Sequence, residues 1–165
     1  MSYFRPTILE DALDWLSTHD ARIVAGSTDL FTGTDRQTLK GHILDITAIG
    51  ELQELIQTDK GWSIGAATTW SDIISSDLPS AFDGLKLAAR EVGSIQIQNA
   101  GTVVGNICNA SPAADGIPCL LSLDSSVELL SVRGRRSVPL ESFITGPRKT
   151  NIASDEIVTR IVAPQ

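Results

Sequence analysis

Apolar residues near the N-terminus follow first a helical and then a strand-like spacing. Four of them recur on one helical face: Leu9, Ala12, Leu13 and Leu16. Thr7, with Glu10 three residues later, predicts a capping box at the start of this helix. Apolar strands are then predicted at 21–25 and 42–46, and the first ends in a glycine turn. This order of elements indicates a small α/β unit with parallel strands.

The longer remainder of the chain predicts a second unit in which strands and helices are mixed. Strands are expected at 52–58, 62–66, 127–132, 136–140 and 157–162. The pair Thr69 and Asp72 is typical of a helix start. Two further helices are expected at 80–92 and 113–123. Gly93 stands where a glycine closes a helix. The pattern as a whole predicts a mixed α/β fold of the α+β class.

The stretch 94–115 shows no regular spacing and is predicted to be a long, functional loop. Its glycines allow a ligand to approach the backbone closely, and Thr102, Asn106 and Asp115 offer short polar side chains. A well-ordered loop whose polar side chains bind their own backbone would carry the same residues. The sequence therefore leaves a ligand loop and a structural loop open at this point.

The segment from Ala25 to Leu30 is a second candidate for ligand binding. A strand that ends in Gly26-Ser27-Thr28 presents consecutive backbone N–H groups and two hydroxyls, which can hold a phosphate. A plain turn at a strand end is the alternative. No triad, nucleophile elbow or metal-ligand spacing occurs, so no catalytic or metal-binding residue is predicted and a cofactor is expected to carry any reaction.

Charge and cysteine content narrow the classes of partner. The formal net charge of −7 repels phosphate backbones, so nucleic-acid binding is not expected. Nothing in the sequence is apolar over enough residues to span a membrane, and the N-terminus lacks the apolar core of a secretory signal. Cys108 and Cys119 fit neither a zinc site nor a redox pair. A cytoplasmic protein with reduced thiols is therefore predicted.

Four segments, in order, resemble the FAD-binding medium subunit of the molybdenum hydroxylases, the family of xanthine dehydrogenase and carbon monoxide dehydrogenase. The segment 23–30 is similar to the family's AGGTDL loop, and 64–73 to its IGAxTT junction. The segment 98–115 resembles RNxGTxGGNI followed by SPxxD, and 146–158 resembles GxRKTxL followed by EI. Together these motifs extend over nearly the whole chain.

The resemblance implies a vanillyl-alcohol-oxidase-like FAD-binding domain. A small α/β subdomain would cover residues 1–50 and a larger α+β subdomain 51–165, with the family's separate C-terminal domain absent. The cofactor would be FAD, held without a covalent bond because no histidine lies between residues 20 and 41. The implied partners are a molybdopterin-binding large subunit and a 2Fe–2S small subunit, and electrons would leave FAD for NAD or another acceptor.

The resemblance also implies roles for individual residues. The loop formed by Ala25, Gly26, Ser27, Thr28, Asp29 and Leu30 would wrap the pyrophosphate of FAD. Thr102, Gly105 and Asn106 would form a second phosphate-side loop. Asp115 would bind ribityl or ribose hydroxyls, so that Asp115→Ala should weaken FAD binding, and Val158 would line the isoalloxazine. Val92 falls where the family often has an aromatic residue near the adenine.

Three residues depart from the family motifs. Ser27 replaces a glycine, which is tolerable if its backbone is not left-handed. Val104 replaces the first glycine of the GGN pair, so its Cβ is expected to enter a crowded turn, and Val104→Gly is expected to improve FAD binding. Gln98 replaces an arginine.

Two other functions fit the same sequence. One is a different flavin oxidoreductase of the same fold, such as an enolpyruvyl reductase-type domain. The other is a cofactor-free module that keeps the fold as a subunit contact. An absorption spectrum recorded with added FAD separates the second alternative from both flavoproteins.

Overall fold

The computed structural model describes residues 2–30 and 41–164. Within them, the strands are β1 (Ser2–Phe4), β2 (Ala21–Val24), β3 (His42–Asp45), β4 (Leu55–Thr58), β5 (Gly61–Gly65), β6 (Ser126–Ser131), β7 (Gly134–Pro139), β8 (Ile144–Gly146), β9 (Lys149–Thr150) and β10 (Ile157–Ala163). The α-helices are α1 (Leu9–Leu16), α2 (Trp70–Ser75), α3 (Asp83–Glu91), α4 (Ile95–Ala100), α5 (Val103–Asn109), α6 (Gly116–Ser122) and α7 (Leu140–Phe143). This content confirms the predicted mixed fold class.

The first sheet has three parallel strands in the order β1-β3-β2, which confirms the predicted parallel unit. The apolar stripe of α1 is buried, as its spacing predicts. The predicted capping box at Thr7 is wrong. Ile8 occupies the cap position and no side chain caps the helix, because α1 begins one residue too late for Thr7 to reach its amides.

The second sheet has five antiparallel strands in the order β4-β5-β10-β6-β7. Both predicted hairpins are confirmed, since β4 pairs with β5 and β6 with β7. The strand predicted at 157–162 joins the two hairpins as the central strand β10. A bulge between Val158 and Arg160 interrupts its pairing with β6.

The prediction of an irregular stretch at 94–115 is wrong, because most of it is helical. Helices α4 and α5 contain six and seven residues, and Gly101-Thr102 separates them. The side chain of Thr102 caps α5, and Ala110 ends it in a left-handed conformation with φ of 45°. Helices shorter than two turns show too few apolar repeats to be recognised from spacing.

The remaining helices follow the sequence with small adjustments. The helix start expected at Thr69 and Asp72 is confirmed, and the two residues form a capping box at α2. The helix predicted at 80–92 begins as a 3-10 turn over Ser80–Phe82 and continues as α3. Gly93, with φ of 51°, closes it as predicted.

A single cluster of buried apolar side chains extends through both sheets. It includes Leu13 and Leu44 beside the first sheet and Ile64, Leu129 and Ile161 in the second. The division into subdomains at residue 50 therefore stays a prediction, and residues 31–40 of the smaller one lie outside the described part of the chain. None of the helices in 2–30 or 41–164 is long and apolar enough to cross a membrane.

Candidate functional site

The loop that follows β2 lies directly against the end of α4. At Gly26, an added Cβ would lie 2.0 Å from the carbonyl oxygen of Ala100, so only glycine fits there. Ser27 adopts a left-handed conformation with φ of 57°, and its carbonyl accepts the N–H of Leu30 at 3.1 Å. The condition under which serine would replace glycine without strain is therefore not met.

The second loop is held in place by the backbone before α2. The N–H of Trp70 donates to the carbonyl of Gly101 at 3.1 Å, and the N–H of Val103 donates to that of Thr68 at 3.1 Å. The Thr102 hydroxyl accepts the N–H of Gly105 at 3.0 Å, which leaves its own proton free to donate. Backbone hydrogen bonds to Thr68 and Trp70 therefore hold the second loop in position.

A cavity of about 630 Å³ lies between these two loops. Nine of the predicted site residues line it: Ala25, Gly26, Ser27, Thr28, Asp29, Leu30, Thr102, Gly105 and Asn106. Val92, expected near the adenine, also lines it. The structure thus brings together two segments that lie more than seventy residues apart in the sequence.

A second cavity, of about 450 Å³, adjoins the first and is mostly apolar. Val158 lines it, as do Ile23, Ala25, Gly105 and Cys108, which also line the first cavity. We refer to these two neighbouring cavities together as the groove, whose first part is the more polar and whose second part is the more apolar. A flat aromatic group joined to a polar, charged chain matches such a division.

Val104 also faces the second cavity, but not in the strained conformation that the sequence led us to expect. It lies in the first turn of α5, is 3% exposed and is not among the residues with positive φ. The strain expected from a Cβ in this turn is not found, because helical backbone accommodates a valine side chain.

Asp115 is the predicted site residue that the structure does not bring into the groove. It lies exposed immediately before α6, and neither of the two described cavities includes it in its lining. Its predicted contact with ribityl or ribose hydroxyls stays a prediction.

The polar end of the groove contains an unsatisfied acceptor. The side-chain oxygen Oδ1 of Asn106 is buried and has no hydrogen-bond partner. A buried acceptor without a partner costs about 1–3 kcal/mol, so a ligand that donates to it would remove that cost. Gly105 and the Thr102 hydroxyl line the same cavity. These groups fit a ligand that carries both hydroxyl donors and phosphate acceptors, as FAD does.

The apolar end is bounded by residues 152–154 and by Glu156. The side chain of Glu156 is buried, with 7% of it exposed. Arg136 donates to both of its oxygens at 2.6 and 2.7 Å, and the N–H of Ala153 donates at 2.8 Å. The Arg136 guanidinium holds the pKa of the Glu156 carboxyl below its usual value.

Several further residues of the groove had no predicted role in cofactor binding. The first cavity is also lined by Arg22, Ile23, Val24, Trp70, Ile97, Gly101, Cys108 and Asn109. Trp70 is both buried and part of the cavity wall. Burial raises the pKa of the Cys108 thiol to about 12, so this thiol stays protonated at neutral pH. Asn109 lies within a recognised motif, which was the available signal.

Comparison with known proteins agrees with this arrangement. The family model described as "FAD binding domain in molybdopterin dehydrogenase" matches residues 1–165. The glyceraldehyde dehydrogenase medium chain of Sulfolobus acidocaldarius is 37% identical over 99% of this chain. The xanthine dehydrogenase FAD-binding subunit of Escherichia coli O157:H7 is 34% identical over 99%. The chain spans 59% and 57% of the length of these two relatives.

Solved structures give the same family. A chain of reconstituted CO dehydrogenase from Oligotropha carboxidovorans superposes with a TM-score of 0.92 and 29% identity. The match covers 99% of this chain and 59% of that one. The sequence motifs, the paired loops and these similarities agree, and the chain belongs to the family of FAD-binding domains of the molybdopterin dehydrogenases.

Proposed function

We propose that this chain is the FAD-binding part of the medium subunit of a molybdenum hydroxylase. The observation that carries the proposal is the convergence of the two glycine loops, 25–30 and 102–106, on one cavity. FAD supplies the capacity to accept electrons as a pair and to pass them on singly or together. The chain itself binds, orients and shields the cofactor.

The roles of the residues follow from the two ends of the groove. Backbone N–H groups of the loop 25–30 and the Thr102 hydroxyl would bind the pyrophosphate, and Asn106 Oδ1 would accept a hydrogen bond from a cofactor hydroxyl. Val158 and its apolar neighbours would contact the isoalloxazine and exclude water from one side of it. The only histidines, His19 and His42, line neither cavity, which supports non-covalent binding.

The partners and the direction of electron flow come from the family. We propose that a molybdopterin-binding large subunit oxidises the substrate and that a 2Fe–2S small subunit delivers the electrons to FAD. NAD or another acceptor would then receive them. A cytoplasmic location fits two unpaired thiols, Cys108 and Cys119.

Titration with FAD tests the cofactor assignment directly. We expect a structured, shifted visible absorption band, and flavin that stays in the supernatant after acid precipitation of the protein. Asn106→Ala should weaken binding by about 10-fold, the effect of one lost hydrogen bond. Asn151→Ala is the matched control, because Asn151 is exposed and lines neither described cavity.

The same titration decides between the alternatives. A free-FAD spectrum at every protein concentration would support the cofactor-free interaction module instead. Flavin that precipitates with the acid-treated protein would show a covalent bond and contradict the non-covalent assignment. Equal FAD affinities for Asn106→Ala and the unmodified chain would remove Asn106 from the site.

A further inference from the structure

The segment Gly146-Pro147-Arg148-Lys149-Thr150 is a family motif to which the cofactor site gives no role. It comprises the end of β8, the turn Pro147-Arg148 and β9, and the two strands pair in a sheet of their own. Arg148 adopts a left-handed backbone conformation with φ of 53°. It is exposed, and it is not among the residues that line either described cavity.

Arg148 is attached twice to the C-terminal end of α5. Its backbone N–H donates to the carbonyl of Ala110 at 2.7 Å, and its Nη1 donates to Oδ1 of Asn109 at 2.7 Å. The Nδ2 group of Asn109 in turn donates to the carboxylate of Asp29. A continuous line of hydrogen bonds therefore joins the β8–β9 turn to the first cofactor loop, across 39 and then 80 residues of sequence.

The order of donors and acceptors in this line fixes the orientation of the central amide. The guanidinium only donates, so it selects the oxygen of Asn109 and turns the amide nitrogen towards Asp29. If the amide were reversed, its N–H groups would face a cation and its oxygen would face a carboxylate. Arg148 thereby determines which group Asn109 presents to the loop, and its positive charge strengthens the bond.

Asp29 and Asn109 both line the first cavity. Holding Asp29 fixes the end of a loop whose start is already fixed by the contact of Gly26 with Ala100. The loop is thus anchored at both ends before any ligand arrives, which lowers the entropy lost on binding.

We propose that Arg148 is a positioning residue for the first cofactor loop and that it acts through Asn109. The inference rests on the proposed function, because the ligand whose affinity it controls is FAD. It assigns to the β8–β9 turn a role in cofactor affinity without direct contact with the cofactor.

A double-mutant cycle on FAD affinity tests the proposal. The variants are Arg148→Gln, Asn109→Ala and the double variant, with Arg133→Gln as the matched control. Arg133 is an exposed arginine that also binds a single side chain, Asp155, but lines neither described cavity. Each single variant should bind FAD about 10-fold more weakly, the effect of one charge-assisted bond. The double variant should be no weaker than Asn109→Ala, and the control should bind as the unmodified chain does.

Arg148→Lys provides the readout that a purely structural role would not change. A lysine ammonium can replace the single bond to Asn109 Oδ1, so this variant should recover most of the affinity that Arg148→Gln loses. Melting temperatures without FAD identify any variant that fails to fold. Additive losses in the double variant, or a lysine variant as weak as the glutamine variant, would overturn the proposal.

Failure of this inference is distinct from failure of the proposed function. If the unmodified chain binds no FAD, the cofactor assignment itself is wrong. If it binds FAD and Arg148→Gln binds equally tightly, only the positioning role of Arg148 is wrong.

Discussion

Val104 shows how the surrounding backbone, more than the residue type, decides whether a departure from a family motif matters. The family has glycine at this position, yet Val104 lies in helical backbone with its side chain in the core. Val104→Gly should lower the free energy of unfolding by about 2–4 kcal/mol, because it removes a buried side chain and places glycine in a helix. It should not improve FAD binding.

Chemical denaturation of the two forms measures this difference. Val132→Gly is the matched control, because Val132 is 53% exposed in the β6–β7 turn, so that its replacement should cost no more than about 1 kcal/mol, the entropic effect of a glycine. A Val104→Gly variant as stable as the unmodified chain would show that the side chain is not packed as described.

Other single positions mark the limit of what the sequence could predict. Gly26 was predicted only as part of a strand end that presents backbone N–H groups, and the sequence did not show that the carbonyl of Ala100 approaches it. The sequence did not predict the left-handed backbone of Ser27, because serine is compatible with several backbone conformations. The role of Asn109 could not be predicted from the sequence, because its two partners, Arg148 and Asp29, are distant from it along the chain.

Where an element is long and regular, its sequence predicted it. The stripe of α1 and the two hairpins of the second sheet have enough repeats to fix their type. Helices α4 and α5 do not, and tertiary contacts decide them: Thr68 and Trp70 bind the backbone that separates the two helices. The cofactor loops were predictable from motifs, whereas the apolar wall at 152–154 depends on an ion pair that local sequence does not reveal.

That ion pair predicts how stability depends on pH. Since Arg136 lowers the pKa of Glu156 in the folded chain, the pair stabilises the fold fully above the ordinary glutamate pKa of 4.5. The stabilisation is lost as the pH falls below 4.5 and through the lower pKa of the folded state. Glu156→Gln should cost about 1–3 kcal/mol at neutral pH, and its stability should fall less steeply with acid.

Unfolding by denaturant between about pH 6 and about pH 3 measures this slope. Asp155→Asn is the control, because Asp155 forms a solvent-exposed pair with Arg133 and its removal should leave the stability nearly unchanged. Parallel pH curves for Glu156→Gln and the unmodified chain would contradict the assignment.

The shared core predicts that both sheets unfold together. Buried side chains of α1 and β3 belong to the same cluster as those of β5, β6 and β10. We therefore expect one thermal transition with the same midpoint by far-ultraviolet circular dichroism and by tryptophan fluorescence. Trp15 reports on the first sheet, and the Trp15→Phe variant leaves Trp62 and Trp70 to report on the second. Two separate midpoints would show that the subdomains are independent.

The central position of β10 in the second sheet affects how the protein folds during its synthesis on the ribosome. Hairpins β4–β5 and β6–β7 emerge earlier, but each then has an open edge, because the strand that joins them is made after both. Because translation proceeds at about 5–20 residues per second, β10 is synthesised several seconds after β5. During that time the backbone amides at the open edge of β5 are unpaired and exposed to other chains. The groove is also incomplete until β10 is made, because Val158 forms part of its wall. A ribosome stalled before residue 157 would therefore present a chain without the β10 wall of the groove, and this chain should bind flavin less tightly than the finished domain.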